Sequence, residues 1–160
     1  MLSITLICAG KLKEKYMIDA CNEYAKRLTG RCRLVVAEIN EAPLSDNPSH
    51  AEIAAALKKE GRRILEKIPP GAYVFAMCVE GKELSSADFS KKLNDIALSG
   101  KSRVVCIIGS ANGLCGSVKK RADCLLSLSR MTFTHQIARV LLLEQIYRGF
   151  QISSGGKYHK

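Results

Sequence analysis

The sequence predicts one α/β domain built around a largely parallel sheet. Strand-like and helix-like patterns alternate along all 160 residues, and no linker, repeat or low-complexity segment divides them. The composition agrees, since 47% hydrophobic and 25% charged residues are ordinary for a chain of this length with a full core. We therefore expect residues 1–160 to form a single domain.

The first half of the chain predicts three strands and two helices. Alternating apolar residues from Leu2 to Cys8 indicate a first strand. A signal peptide would have a basic segment before its apolar residues, and no such segment precedes Leu2. The elements that follow are a helix over 14–28, a strand over 33–39, a loop with two prolines over 40–49, a long helix over 53–68 and a strand over 72–79. The last of these is mostly apolar, which is typical of a parallel sheet covered on both faces.

The second half continues the alternation. Ser85 with Asp88 resembles a capping box and begins a helix that ends at Gly100. Thr134 can cap a final helix that runs to about Phe150, followed by a polar tail. Between these helices the patterns predict a buried strand over 103–108, a short basic helix around 117–122 and a last strand over 124–129.

Chemistry is expected in the loops where strands end, because open α/β sheets bind ligands at the carboxyl ends of their strands. These are the loops after Cys8, Val79, Ile108 and Ser129. Gly10 and Glu38 are one glycine and one carboxylate, which is weak support for a standard dinucleotide site. The Gly-Ser-Ala-Asn-Gly run at 109–113 forms either a tight turn or a close backbone approach to a ligand, and it lacks the Gly-Lys-Ser/Thr ending of a P-loop.

The loop at 128–133 mixes apolar side chains with hydroxyls and leads into the final helix. It suits a flat aromatic ligand, although an ordinary strand-to-helix connection looks the same. The final helix is too apolar to have one wet side, which favours burial against the sheet and against a second subunit. Within it we expect Arg139 and Glu144 to form a buried pair and His135 to be a structural hydrogen-bonding residue.

The charge points to a polyanionic partner. Twenty-five basic against 15 acidic residues give a net charge of +10, of which residues 81–160 supply +8. A one-sided positive field favours nucleic acid through counterion release. No apolar run approaches the length of a membrane span, so we expect no membrane partner.

The seven cysteines predict a reduced, intracellular protein. No pair has the Cys-x-x-Cys spacing of a zinc or redox site, and several lie inside apolar runs. We expect them to be mostly buried thiols in a cytoplasmic protein, with no metal site.

The chain ends with Lys157, Tyr158, His159 and Lys160. Terminal residues are commonly frayed and without function. A tyrosine can nevertheless stack on bases, lysines meet phosphates, and histidine titrates near neutral pH. The same four residues would therefore suit a tail that contacts RNA and handles a proton.

Several segments together resemble the ribosomal RNA large-subunit methyltransferase H family of the SPOUT class. They are residues 11–28, the strand and loop Cys-Ile-Ile-Gly-Ser-Ala-Asn-Gly at 106–113, residues 126–152 and the terminal Tyr-His-Lys. The resemblance covers essentially the whole chain. It implies a Rossmann-like SPOUT fold with a C-terminal trefoil knot, and a homodimer with its cofactor pocket at the subunit interface.

The resemblance also implies specific site residues. The contacts to S-adenosyl-L-methionine would fall on Met77, Gly109, Leu128, Ser129, Arg130, Met131, Thr132 and Phe133. His159, oriented by Tyr158, would assist catalysis, and Lys157, Lys160, Arg130 and Lys119 would bind rRNA phosphates. The chain departs from the family pattern at Ser110, where a second glycine is common, and at residues 78–80, where the family stretch usually starts with an acidic residue.

The reaction that the resemblance implies is methylation of N3 of a pseudouridine in helix 69 of 23S rRNA, on the assembled ribosome and without a metal. Two alternatives stay open from the sequence. One is a related SPOUT enzyme that acts on tRNA or another rRNA site. The other is a non-catalytic RNA- or ribosome-binding protein on a nucleotide-binding scaffold, which would not bind S-adenosylmethionine.

Overall fold

The computed structural model describes residues 1–156, which form five strands and five helices in strict alternation. The strands are β1 (Ser3–Ala9), β2 (Arg33–Ile39), β3 (Tyr73–Glu83), β4 (Arg103–Ile108) and β5 (Cys124–Ser127). The helices are α1 (Lys15–Leu28), α2 (His50–Glu66), α3 (Ser86–Leu98), α4 (Gly116–Arg121) and α5 (His135–Ser153). The predicted α/β class is confirmed.

All five strands are parallel and lie in the order β2-β1-β4-β3-β5. β3 runs to Glu83, four residues further than the pattern predicted, because it pairs with β5 a second time after a register shift. Met77 and Lys82 are both partners of Leu126. The chain between them bulges around β5, and a Cβ on Gly81 would come within 2.6 Å of the Leu126 backbone.

Two apolar clusters cover the two faces of the sheet. One cluster joins alternate residues of β1 and β4 to α1, α3 and α5, and the other joins the intervening residues to α2 and α4. Burial on both faces explains why β4 is apolar from Val104 to Ile108.

Helix α5 lies between α1 and α3 and is the most deeply placed of the helices in the described part of the chain. Leu142, Leu143 and Ile146 are almost fully buried, and the Ser90 hydroxyl donates to the Gly149 carbonyl oxygen at 2.6 Å. The helix continues to Ser153, three residues past the predicted end, and Gly155 then stops it with a φ of +71°.

The cysteines follow the prediction of mostly buried thiols. All seven are free; four are buried and three are half-buried. Burial raises the pKa of Cys8 and Cys106 to about 12 and that of Cys32 to about 11, so these three stay protonated near neutral pH.

Residues 1–156 contain neither a membrane-spanning helix nor a metal-binding cluster of side chains. None of the helices there combines the length and the apolar character that crossing a bilayer requires. Nor do three or more histidine, cysteine or acidic side chains come together in that part of the chain as they would around a metal ion.

Candidate functional site

A cleft with a volume of about 910 Å³ lies at the carboxyl ends of β4 and β5, beside the bulge of β3. Its walls are residues 77–80, 108–114, 126–129 and 131–138, together with Tyr16, Met17 and Lys119. The volume falls within the range of small-molecule sites, and the position is where open α/β sheets bind ligands.

The turn after β4 brings bare backbone to the cleft. A Cβ on Gly109 would overlap the Gly113 carbonyl oxygen, and Gly113 has a φ of +88° that side chains other than glycine rarely adopt. The turn is closed by the Gly113 N–H, which donates to the Ser110 carbonyl oxygen at 2.9 Å. Glycine is therefore required at two of the five positions.

Hydroxyl groups shape the loop at 128–133. The Ser127 hydroxyl donates to the Ser129 carbonyl oxygen at 2.9 Å, and the Ser129 hydroxyl accepts the Met131 N–H at 3.0 Å. Thr134 caps α5 by accepting the Ile137 N–H at 3.3 Å, as predicted. The loop separates the cleft from a second cavity of about 270 Å³ between α3 and α5.

The rim of the cleft is unusually apolar. Of the eleven large hydrophobic side chains that are exposed in the described chain, five line this cleft: Tyr16, Val79, Met131, Phe133 and Ile137. Such clustering of exposed apolar side chains marks a binding surface, either for a flat ligand or for another protein surface.

The charged groups of the cleft are few. Glu80 is the only carboxylate among its described lining residues, and it is hydrogen-bonded to Lys119. That bond holds the pKa of Glu80 below its ordinary value. His135 also lines the cleft, with its Nε2 3.7 Å from the Glu41 carboxylate. Glu80 is therefore already engaged as a hydrogen-bond acceptor.

The predicted pair of Arg139 with Glu144 is wrong. Arg139 is buried and reaches instead to Glu38 at 3.1 Å and to the Gly10 carbonyl oxygen at 3.1 Å. Glu144 pairs with Arg148, one turn further along the helix. Since Glu38 is committed to Arg139, it is not placed as the ribose ligand of a dinucleotide site.

Replacing Arg139 with methionine should destabilise the fold. The change leaves the Glu38 carboxylate and the Gly10 carbonyl oxygen without their donor, and we expect a loss of about 2 kcal/mol because Glu38 keeps some access to water. Urea unfolding measures it. The matched change Lys91→Met breaks an exposed pair with Asp95 and should cost much less; equal losses would contradict the account.

The structure brings most of the predicted cofactor residues to one place. Met77, Gly109, Leu128, Ser129, Met131, Thr132 and Phe133 all line the cleft. Arg130 belongs to the same loop but is exposed and does not line it. Lys119 lies at the cleft, whereas Lys157, Tyr158, His159 and Lys160 are outside the described residues.

Sequence reasoning missed Tyr16 and Met17, in the first turn of α1. A signal was available, because that turn follows the carboxyl end of β1 and so must begin at the same edge of the sheet. A nucleotide-sized cleft at this edge, built from glycine-rich and hydroxyl-rich loops, defines an α/β protein that binds a small ligand through backbone and apolar contacts.

Comparison with known proteins narrows this class. A family model described as a predicted SPOUT methyltransferase matches residues 2–159. A protein of Clostridium kluyveri named ribosomal RNA large subunit methyltransferase H is 47% identical over 99% of this chain and its own full length. The protein of that name from Enterococcus faecalis is 43% identical over the same shares.

Two solved structures share the fold. A probable methylase family protein from Haemophilus influenzae has a TM-score of 0.56 and 12% identity, covering 100% of this chain and 72% of its own. The tRNA (m1G37) methyltransferase from Aquifex aeolicus has a TM-score of 0.54 and 16% identity, covering 91% and 69%. At these identities the likeness concerns the fold alone. The chain belongs to the SPOUT methyltransferases and, within them, to the ribosomal RNA large subunit methyltransferase H family.

Proposed function

We propose that the protein binds S-adenosyl-L-methionine in the 910 Å³ cleft and methylates N3 of a pseudouridine in helix 69 of 23S rRNA, on the assembled ribosome. The observation that carries the proposal is that Met77, Gly109 and the loop at 128–133 line a single cleft. Such an enzyme would work in the cytoplasm, where ribosomes are.

The lining fits this methyl donor. Gly109 and Gly113 leave backbone groups accessible to an adenosine moiety, and the apolar walls at Met77, Leu128 and Phe133 suit a flat purine. When bound, the donor supplies a methyl group on a positively charged sulfur, which needs no metal to make it a good leaving group. The cleft residues would therefore contribute binding and alignment rather than activation of the methyl group.

The remaining chemical task is removal of the N3 proton. Glu80, the carboxylate of the described cleft lining, is already hydrogen-bonded to Lys119. We assign the task to His159, oriented by Tyr158, as the resemblance implies. Both lie outside the described residues.

The position of Gly156 supports a homodimer. Its N–H donates to the Gln151 carbonyl oxygen at 2.8 Å, at the end of α5 opposite to the cleft. Gln151 and Ala138, the last helical residue of the cleft lining, are separated by about 20 Å along the helix. The three residues from Gly156 to His159 span at most about 11 Å. His159 would therefore act in the cleft of a second copy, which could bind against the apolar rim of the cleft.

We also propose that the chain carries the family's C-terminal trefoil knot. Support comes from the bulge in β3, where Met77 and Lys82 flank the same residue of β5. The segment between them lies close against β5, where a Cβ on Gly81 would come within 2.6 Å of the Leu126 backbone.

Basic residues would hold the rRNA. Lys157 and Lys160 would bring positive charge with the tail, and Arg130 is exposed beside the cleft. Lys119 would bind a phosphate by exchanging its bond to Glu80, so its contribution should be smaller than that of Arg130.

Assembled ribosomes should be much better substrates than free 23S rRNA. A chain of 160 residues has little surface for reading RNA sequence, so selection of one base would depend on the ribosome presenting a single loop. Methyl incorporation measured on both substrates at equal concentration tests this. Equal rates would contradict it.

Mass-spectrometric mapping of 23S rRNA from cells with and without the gene tests the assigned position. The proposal expects one methylated pseudouridine in helix 69 that disappears with the gene. Loss of a methyl group at another rRNA position, or in tRNA only, would contradict the proposed substrate and indicate a SPOUT methyltransferase that acts on a different RNA site.

A further inference from the structure

Helix α2 carries a buried carboxylate that the proposed reaction does not use. Glu60 is 4% exposed, and none of the lysine, arginine and histidine side chains in residues 1–156 forms an ion pair with it. Burial of an acidic group is costly unless hydrogen bonds compensate it. Glu60 obtains two: Oε1 accepts from the Ser110 hydroxyl at 2.7 Å, and Oε2 accepts from the Ala42 N–H at 3.1 Å.

These two bonds join separate loops of the cleft edge. Ser110 lies in the glycine turn that lines the cleft, between Gly109 and Gly113. Ala42 lies in the loop after β2, which Arg63 also holds by donating to the Asn40 carbonyl oxygen at 2.7 Å. The carboxylate thus fixes the glycine turn relative to α2 and to the loop at 40–42.

The loop at 40–42 in turn contacts the beginning of α5. Glu41 lies 3.7 Å from His135, which lines the cleft directly after the loop at 128–133. The tether at Glu60 is therefore connected directly to the turn at 109–113 and, through Glu41 and His135, to the start of the helix that follows the loop at 128–133.

We propose that Glu60 is a positioning residue for the methyl-donor cleft and acts through the Ser110 hydroxyl. The carboxylate holds the turn at 109–113 in the conformation that receives the donor, without touching the donor itself. This inference rests on the proposed function, because the cleft must be the donor site.

The decisive variants are Ser110→Ala, Glu60→Ala and Glu60→Gln. Ser110→Ala and Glu60→Ala should each raise the donor Kd and KM about tenfold, while kcat at saturating donor stays within twofold, because ground-state order of the turn is lost but not the reacting groups. Glu60→Gln should stay near wild type, since its amide can accept from the Ala42 N–H and donate to the Ser110 oxygen. The double variant should be no worse than Glu60→Ala, because both changes break one tether.

Ser99→Ala is the matched control. Its hydroxyl donates to the Ile96 carbonyl oxygen at 2.7 Å, at the end of α3 away from the cleft, and its loss should leave the donor Kd unchanged. A donor Kd for Ser110→Ala equal to that of wild type would overturn the inference. So would a tenfold shift in Ser99→Ala, which would indicate general destabilisation.

Amide hydrogen exchange gives a readout that needs no donor. We expect Ser110→Ala to fold even if Glu60→Ala does not, because the hydroxyl is half-buried and Glu60 keeps its hydrogen bond from the Ala42 N–H. It should accelerate exchange of the Gly113 and Ala42 amides and leave the β4 amides protected. Unchanged exchange at Gly113 would overturn the inference about Glu60, whether or not the wild-type protein binds the donor. Failure of the wild-type protein to bind the donor would instead refute the proposed function.

Discussion

Removing residues 158–160 is expected to abolish methyl transfer and leave the donor Kd nearly unchanged. Tyr158 and His159 are assigned to the target base and its N3 proton, whereas the described donor cleft is complete without them. Calorimetric titration with S-adenosylmethionine and a ribosome methylation assay measure the two effects separately. Removing Lys160 alone is the control for lost charge and should reduce activity only modestly. Full activity in the longer truncation would refute the role of the tail.

Mixing two inactive variants tests whether the tail acts on the partner copy. A chain truncated before Tyr158 keeps its cleft, and Gly109→Ala keeps its tail. If the tail acts in a second copy, mixed dimers combine one intact cleft with one intact tail, and activity should return to a fraction of wild type. No recovery after subunit exchange would place the tail and the cleft in the same chain.

Gly109→Ala is expected to weaken donor binding by at least about 100-fold. The added methyl group would overlap the Gly113 carbonyl oxygen, so the turn must shift at the point where the cleft needs bare backbone. Calorimetry measures the change in Kd, and thermal unfolding separates it from loss of fold.

Gly116→Ala is the matched control for that substitution. Gly116 begins α4, has no positive φ and leaves open space around an added Cβ. Donor binding should be unchanged there. A wild-type Kd in Gly109→Ala would mean that the turn after β4 does not meet the donor.

Sequence patterns predicted the strands best where turn residues bound a run of strand-forming residues. β2 and β4 are apolar runs between turn residues, and their predicted bounds match the structure. The extension of β3 through Gly81 was missed because the added residues are mostly polar and become a strand only through a second pairing with β5. Pairing of this kind depends on tertiary contacts that a local pattern does not carry.

The wrong partner for Arg139 has a geometric reason. Arg139 and Glu144 are five residues apart on α5, and side chains of a helix face one another at separations of three or four. Glu38, the observed partner, lies 101 positions away in sequence. Only the packing of α5 across β1 and β2 brings the two together.

The candidate site was partly predictable because topology fixes where strands end. The turn after β4 and the loop after β5 were expected at one edge, and both line the cleft. The position of Ile137 on the apolar rim depends on how α5 packs, which a local pattern does not indicate. Glu60 left a readable signal, since it shares a helical face with Ile53, Leu57 and Ile64.

The most direct test of the central claim is a crystal structure of the protein grown with S-adenosylmethionine. The donor should lie in the 910 Å³ cleft, in contact with Met77, Gly109 and the loop at 128–133. Donor density in the 270 Å³ cavity between α3 and α5, or none at a saturating concentration, would contradict the assignment of the site.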